Sequence, residues 1–323
     1  MDKTKYIEVL NKIKEYNRII IHGHVRPDGD CIGSQYGLYE ILKETFKDKE
    51  IYVTGEESDY VGFIGRPTLI DDSLFKGALS ITVDTPIVSR LSDNRIDKSD
   101  FVIKFDHHPV VEEFADLSIV FDKRPACAEI IYDFYEALKD ELKINKKAAL
   151  ALYVGLSTDT GRFKFASVDS HTFYVASKLT EIGVDLAYVD LNLSIETEDA
   201  MHLRGYCLSS FKKTKNGVAY LYLDKKIQDK YNVTYEEAAN MVNTLSTIKG
   251  SPMWVLFVEK EDEIRVRLRS RGPVVNNLAE KYEGGGHKLA SGATLHSVND
   301  IEIFLKDADL VIKEYKLTPN SYF

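Results

Sequence analysis

Cysteine is scarce in this chain. Cys31, Cys127 and Cys207 are the only three, odd in number and far apart. They form no disulfide framework and no CxxC metal or redox pair, so a reducing cytoplasm is the expected location. No apolar run approaches about 18 residues, so a transmembrane helix and a membrane partner are not expected. The start, Met1 to Leu10, is charged from Asp2 onward and reads as an amphipathic helix, not a signal peptide. Internal repeats and low-complexity stretches are missing too. A basic excess is also lacking: the net charge is −9. Residues 1–190 hold 24 Lys and Arg against 33 Asp and Glu, while residues 191–323 hold 18 of each. A broad basic face for a long duplex nucleic acid is therefore not expected, although a short anionic substrate at a focused site is allowed.

What is present is an ordinary globular composition, 44% hydrophobic and 29% charged, over 323 residues. That length suggests about two domains. Residues 18–21, 51–53, 78–83 and 101–105 are short apolar runs that read as strands. Between and after them, helical spacing appears at 31–46, 126–138 and 146–156. This alternation predicts an α/β fold with a mainly parallel sheet flanked by helices. Ser170 reads as the cap of a further helix. Residues 185–212 look helical. Beyond them come strands at 218–223, 253–259 and 263–269, a helix at 235–245 opened by a Thr234/Glu237 capping box, and a last helix at 300–314. The expected organisation is an α/β domain at 1–190, a helical linker at 191–215, and a smaller mixed α/β domain at 216–323.

Four segments place Asp or His where an apolar run stops: His24 to Asp30, Asp84 to Pro86, Asp106 to Pro109, and Ser157 to Gly161. Ligands of open parallel sheets bind beyond the carboxyl ends of the strands, so the sheet should gather these segments. His24 and Asp28 could take one divalent cation and leave Asp30 for a second. A polar turn with Asp30 as helix cap is the alternative. Asp84 alone fits a turn, yet beside the others it is the carboxylate able to bridge two ions. In Asp106-His107-His108, His107 would be a ligand and His108 could meet substrate or act on the leaving group; a surface histidine pair is the other reading. His22 is structural or supports a ligand. Asp159 ends a helix, where an acid is unfavourable unless a cation offsets it. Arg162 could bind a phosphate oxygen or form an ordinary ion pair.

In the second half, Ile264 to Arg271 alternates strictly, which puts arginines on one strand face. Four guanidiniums there repel unless an anion or glutamate partners are present. Gly284-Gly285-Gly286-His287 reads as a loop whose backbone N–H groups could wrap an anion, with His287 at its exit and Ser291 close behind. A plain flexible turn is the alternative.

Taken together and in this order, these motifs resemble the DHH phosphoesterases that carry a DHH-associated C-terminal domain. The resemblance rests on His24-x-x-Pro27-Asp28-x-Asp30, Asp84, Asp106-His107-His108, Asp159 and Gly284-Gly285-Gly286-His287-x-x-Ala290-Ser291-Gly292. The Ser157–Phe163 and Arg265–Pro273 segments look like those of the short bacterial nanoRNases that also act on 3′-phosphoadenosine 5′-phosphate (pAp). The resemblance implies two manganese ions, with magnesium or cobalt as possible substitutes. His24, Asp28 and Asp84 would hold one; Asp30, Asp84, His107 and Asp159 would hold the other. It further implies that His108 contacts the scissile phosphate, with Asp84 and Asp106 in the catalytic set. The Gly285-Gly286-His287 segment, Ser291, and Arg267 or Arg269 would grip substrate phosphates from the second domain. The expected activity is hydrolysis of short RNA oligonucleotides to mononucleotides, with 3′-phosphatase action on pAp. Hydrolysis of linear pApA or cyclic di-AMP is the enzymatic alternative, and a non-catalytic nucleotide sensor is the alternative of another class. Oligomeric state is open, with a homodimer allowed.

Overall fold

The computed structural model describes residues 3–317. Met1 and Asp2 of the expected first helix lie outside them. The chain divides into two compact units, Met1–Ile195 and Glu196–Phe323.

The first unit opens with α1 (Lys3–Glu15), β1 (Arg18–His22), α2 (Gly29–Thr45) and β2 (Glu50–Thr54). Next come β3 (Leu79–Val83), β4 (Phe101–Asp106) and β5 (Leu117–Val120). The helices α3 (Cys127–Ala137), α4 (Lys146–Asp159), α5 (Ser170–Ile182) and α6 (Leu186–Ser194) complete it. All five strands are parallel, in the order β2-β1-β3-β4-β5. The expected α/β architecture is thus observed, with β5 as a strand that the sequence reading lacked. The Ile19–Ile21 run and the whole of β3 are buried because helices cover both faces of the sheet.

In this order the chain path reverses between β1 and β3. Crossovers leave β1 toward β2 on one side and run from β3 toward β5 on the other. That leaves a crevice at the carboxyl ends of β1 and β3, where loops part to opposite faces. The segment with His24, Asp28 and Asp30 leaves β1, and Asp84 is the residue after β3.

Helix α2 is capped by Asp28, whose Oδ1 accepts from the N–H groups of Asp30 and Cys31 at 3.0 Å. Asp30 is therefore inside the helix and not its cap. Helix α2 lies directly on α4, backbone to backbone. A Cβ on Gly33 would meet the Ala151 carbonyl oxygen at 2.6 Å and the Gly155 Cα at 2.8 Å. This close approach sets the Asp30 turn against the end of α4, which carries Asp159. Helix α5 is capped by Asp169 and not by Ser170; Asp169 accepts from the His171 and Thr172 N–H groups.

The second unit starts with α7 (Glu198–Ser210) and β6 (Lys212–Lys213). It continues with β7 (Val218–Leu223), α8 (Lys225–Lys230), α9 (Tyr235–Asn240), β8 (Met253–Lys260) and β9 (Glu263–Ser270). It ends with α10 (Asn276–Glu280), β10 (Gly285–His287), β11 (Ala290–Leu295) and α11 (Val298–Tyr315). The sheet order is β10-β11-β9-β8-β7-β6, antiparallel except for β7 with β8. The Thr234/Glu237 capping box forms, but the helix it opens ends at Asn240 and tightens into a 3₁₀ turn over Met241–Leu245. The helical stretch expected at 185–212 breaks between α6 and α7.

Ile264, Val266 and Leu268 of β9 enter one core with α11, as their alternation requires. Arg265, Arg267 and Arg269 lie on the opposite face, in register with Val258, Leu256 and Trp254 of β8. Arg271 lies past the end of the strand, bonded to the Ile248 and Ser251 carbonyls, so the face carries three arginines and not four.

Candidate metal centre and anion platform

Asp84 sits at φ 56°, a left-handed conformation that an aspartate tolerates better than most residues. Its N–H donates to the Phe105 carbonyl at 2.9 Å, which ties the turn to β4. The carboxylate is 3% exposed and its two oxygens face different neighbours. Oδ2 is 3.4 Å from His24 Nε2, and Oδ1 is 3.3 Å from His107 Nε2. Oδ1 accepts no hydrogen bond although it is buried.

Two donor groups therefore share Asp84. In the first, ligand atoms of His24, Asp28 and Asp84 lie within 4.8 Å of one another, with His24 Nε2 3.8 Å from Asp28 Oδ1. In the second, His107 Nε2 is 3.3 Å from Asp159 Oδ2 and 3.9 Å from Asp30 Oδ2. Both histidines are oriented by backbone. His24 Nδ1 donates to the Val25 carbonyl at 2.9 Å, and His107 Nδ1 donates to the Arg124 carbonyl at 3.1 Å. Each Nε2 lone pair is left for a cation.

The electrostatics are those of a place short of positive charge. Burial and the Asp84 charge push the Asp159 carboxyl up to about 7. Burial and the Asp84 and Asp159 charges also push Asp30 well above the usual range. Burial alone would lower His107, but the Asp84 contact and the surrounding carboxylates raise it to about 10. Protons collect where a divalent cation would satisfy the same carboxylates. A donor set of carboxylates and imidazole suits such an ion.

Asp30 has a second task. Its Oδ2 accepts from the Cys127 N–H at 2.6 Å and its Oδ1 from the Ala128 N–H at 2.9 Å. It thereby caps α3, whose own preceding residue, Ala126, has no capping side chain. Asp106 is buried and accepts from His108 Nδ1 at 2.8 Å. Burial alone would raise its carboxyl; the His108 contact and the nearby Lys104 charge hold it below the usual range. His22 is structural: Nδ1 donates to the Asp93 carbonyl at 3.0 Å and Nε2 accepts from Ser80 Oγ at 2.9 Å.

Arg162 sits in a left-handed turn with Gly161 and Phe163, at φ 56°, 57° and 61° for residues 161 to 163. Its guanidinium bonds Asp190 Oδ1 at 2.9 Å, Ser194 Oγ at 2.9 Å and the Leu193 carbonyl at 2.8 Å. The fork anchors the turn to α6, as the ion-pair reading expects.

In the second unit the glycine segment is not a wrapping loop. It forms β10, paired with β11 as Gly285↔Gly292, Gly286↔Ser291 and His287↔Ala290. Ser291 Oγ donates to the His287 carbonyl at 2.8 Å. Because paired residues share a face, Arg269, Ala290 and His287 form one row, and Arg267, Gly292 and Gly285 another. The small residues leave open space beside the guanidiniums. Arg265 is engaged by Thr294 Oγ1 at 2.6 Å, and Arg269 by the Leu268 carbonyl at 2.8 Å. Among the described residues, the Arg267 side chain makes no hydrogen bond or ion pair.

Two supporting groups escaped the sequence reading. Lys104 is buried beside Asp106, at 3.2 Å from Oδ2; a lysine within an apolar strand was the available signal. Arg124 reaches Glu129 Oε1 at 2.9 Å and Asp133 Oδ2 at 3.2 Å, and His171 Nε2 is 2.7 Å from Asp133. Glu129, Asp133 and His171 also cluster as metal donors would. The arginine already supplies their cation, and its own carbonyl orients His107.

Residues 18–156 match the N-terminal domain of the DHH family and residues 215–314 the DHHA1 domain. Over 311 residues the chain is 38% identical to the bifunctional oligoribonuclease and PAP phosphatase NrnA of Bacillus subtilis, spanning 96% of this chain and 99% of that protein. It is 37% identical to the probable bifunctional oligoribonuclease and PAP phosphatase NrnA of Streptococcus mutans, spanning 96% and 100%. A solved structure of an exopolyphosphatase-related protein from Bacteroides fragilis matches with a TM-score of 0.85 at 26% identity, covering 97% of both chains. By its domain content and by identity along nearly its whole length, the chain belongs to the DHH family of phosphoesterases, with a DHHA1 domain following the DHH domain.

Proposed function

We propose that the protein is a manganese-dependent phosphodiesterase that hydrolyses short oligoribonucleotides to mononucleotides and removes the 3′-phosphate of pAp. The observation that carries this reading is the division of Asp84, one buried carboxylate with an oxygen toward each of two donor groups. Phosphoesterases of this family depend on metal ions. His24, Asp28 and Asp84 would hold one ion; Asp30, Asp84, His107 and Asp159 would hold the second. Such a pair supplies a hydroxide nucleophile at neutral pH and Lewis-acid neutralisation of phosphate charge.

The chain's own groups complete the chemistry. His108 is one-third exposed, and with Nδ1 donating to Asp106 its Nε2 is the nitrogen left for substrate; a ring protonated there as well would donate Nε2–H to a phosphoryl oxygen. In the second unit, the Arg267 fork has unused donors that match a phosphate oxygen pair. His287 stands exposed at the end of the neighbouring row. One unengaged guanidinium beside one exposed histidine would take a single terminal phosphate, which fits a substrate of a few nucleotides. The two NrnA relatives, named for oligoribonuclease and PAP phosphatase activities, support the same substrate class. Three buried free cysteines fit work in the reducing cytoplasm.

The test is hydrolysis of two- to five-nucleotide RNA, pAp and linear pApA, with and without manganese. Asp84→Asn is expected to abolish turnover on every substrate. Arg267→Ala and His287→Ala are expected to raise KM far more than they lower kcat. Turnover of Asp84→Asn at the wild-type rate would overturn the mechanism.

A further inference from the structure

Lys104 is a lysine in the interior of a parallel sheet. It precedes Asp106 by two residues on β4, so both side chains leave the same face of the strand. Lys104 is 1% exposed and Asp106 is fully buried. An ammonium in such a place is costly unless paired. Its partners come from three segments: Asp106 Oδ2 at 3.2 Å, the Pro86 carbonyl at 3.3 Å, and the Phe114 ring, whose centroid is 4.9 Å away. Pro86 lies two residues after Asp84. One buried cation thus ties the turn after β3 to the end of β4.

Asp106 divides its oxygens as clearly as Asp84 does. Oδ1 accepts from the His108 ring at 2.8 Å and from the His108 backbone N–H at 3.2 Å. Oδ2 accepts no hydrogen bond and has Lys104 as its ion-pair partner. We propose that Lys104 is a positioning residue for His108, acting through Asp106. The proposal rests on the reading of His108 as the histidine that meets the substrate phosphate. The ammonium fixes the plane of the carboxylate by holding Oδ2, so Oδ1 stays aimed at the imidazole. A carboxylate can only accept, so Nδ1 must carry the proton and Nε2 is the nitrogen presented outward. The contact to Pro86 holds this assembly in register with the Asp84 turn. The partners of Lys104 include none of the proposed ligand atoms, so its effect is on the aim of His108.

The experiment compares Lys104→Met, His108→Ala and the double variant in the full-length protein, with kcat and KM on a diribonucleotide. Lys104→Met is expected to lower kcat about 10- to 100-fold, the scale seen when the partner that orients a site histidine is lost, with KM within about twofold. In the His108→Ala background the same change is expected to lower kcat no further. Thermal unfolding accompanies each variant. Should Lys104→Met unfold, Lys104→Met with Asp106→Asn removes both buried charges, and its kcat is expected to equal that of Asp106→Asn alone. A wild-type kcat in Lys104→Met, or a full multiplicative loss in the double variant, overturns the proposal. A silent His108→Ala overturns it together with the assigned role of His108. A separate readout needs no turnover: ¹⁵N shifts of His108 in the magnesium-loaded protein are expected to report a proton held on Nδ1, lost in Lys104→Met. An unchanged Nδ1 proton overturns the proposal even if the substrate assignment is itself wrong.

Discussion

At the residue scale, the site depends on side chains with two obligations. Asp84 divides its oxygens between His24 and His107, and the turn that aims it is left-handed. His22, two residues before His24, has the opposite character: both ring nitrogens are used inside the core. Burial pushes its pKa down to about 4, against Asp93 contacts that oppose the shift. The unfolded chain binds a proton there near pH 6.5, so between about pH 4 and 6.5 the unfolded state holds more protons than the folded one. Stability from His22 is therefore complete above that window and falls as pH falls through it. Urea unfolding at pH 7 and pH 5 should show wild type losing about 2 kcal/mol more than His22→Gln on acidification. Equal losses in the two proteins would show that His22 is not held neutral. The sequence left His22 as structural or as support for a ligand, because a histidine inside an apolar run has no visible partner. Its partners, Ser80 and Asp93, are 58 and 71 residues away.

At the element scale, two helices meet the site with opposite electrostatic ends. Helix α3 points its N-terminus at Asp30, which accepts two of its amide protons. Helix α4 ends on Asp159, which caps no helix and sits where the helix field is unfavourable to an anion, 3.3 Å from His107 Nε2. Both residues belong to the same donor group, yet they should differ in stability. In metal-free protein, Asp30→Ala strands two buried N–H groups and should cost about 2 kcal/mol or more. Asp159→Ala removes a repelled charge and should leave stability within about 1 kcal/mol of wild type. Urea unfolding in chelator checks this; equal costs would mean that Asp30 does not act as the cap of α3. Strand ends and helix periods were legible because β1, β3 and β4 are apolar runs cut off by Asp or His. The task of Asp30 at α3 was not, since it spans 97 residues. Strand β5 is only four residues long and its burial is partial, so it left no alternating pattern to read. The β10–β11 hairpin hid behind glycines, which signal a loop until the pairing partner is known.

For the whole molecule, charge and topology divide the work. The acidic excess lies in residues 1–190, where the acids that would hold cations are concentrated, and residues 191–323 are neutral overall yet present an arginine face. The parallel order β2-β1-β3-β4-β5 fixes the crevice between β1 and β3; strand–helix alternation foretells a parallel sheet that gathers the motifs at one edge, but not this order. The arginine and histidine rows proposed to hold phosphate needed the antiparallel register of β9, β11 and β10, which no local pattern supplies. Metal and nucleotide should therefore leave separate marks on the full-length chain. In hydrogen–deuterium exchange, manganese is expected to protect amides at 23–31, 84–85, 107–108 and 158–163. Adding pAp to Asp84→Asn, where turnover should be blocked, is expected to protect 265–269 and 285–292 in the second unit as well. Bound ligand slows exchange by removing the open forms that it does not bind, so protection reports contact or the ordering that contact brings. If pAp protects only the first unit, the arginine and histidine rows of the second do not hold its phosphate, and the substrate must be selected by the residues around the metal centre alone.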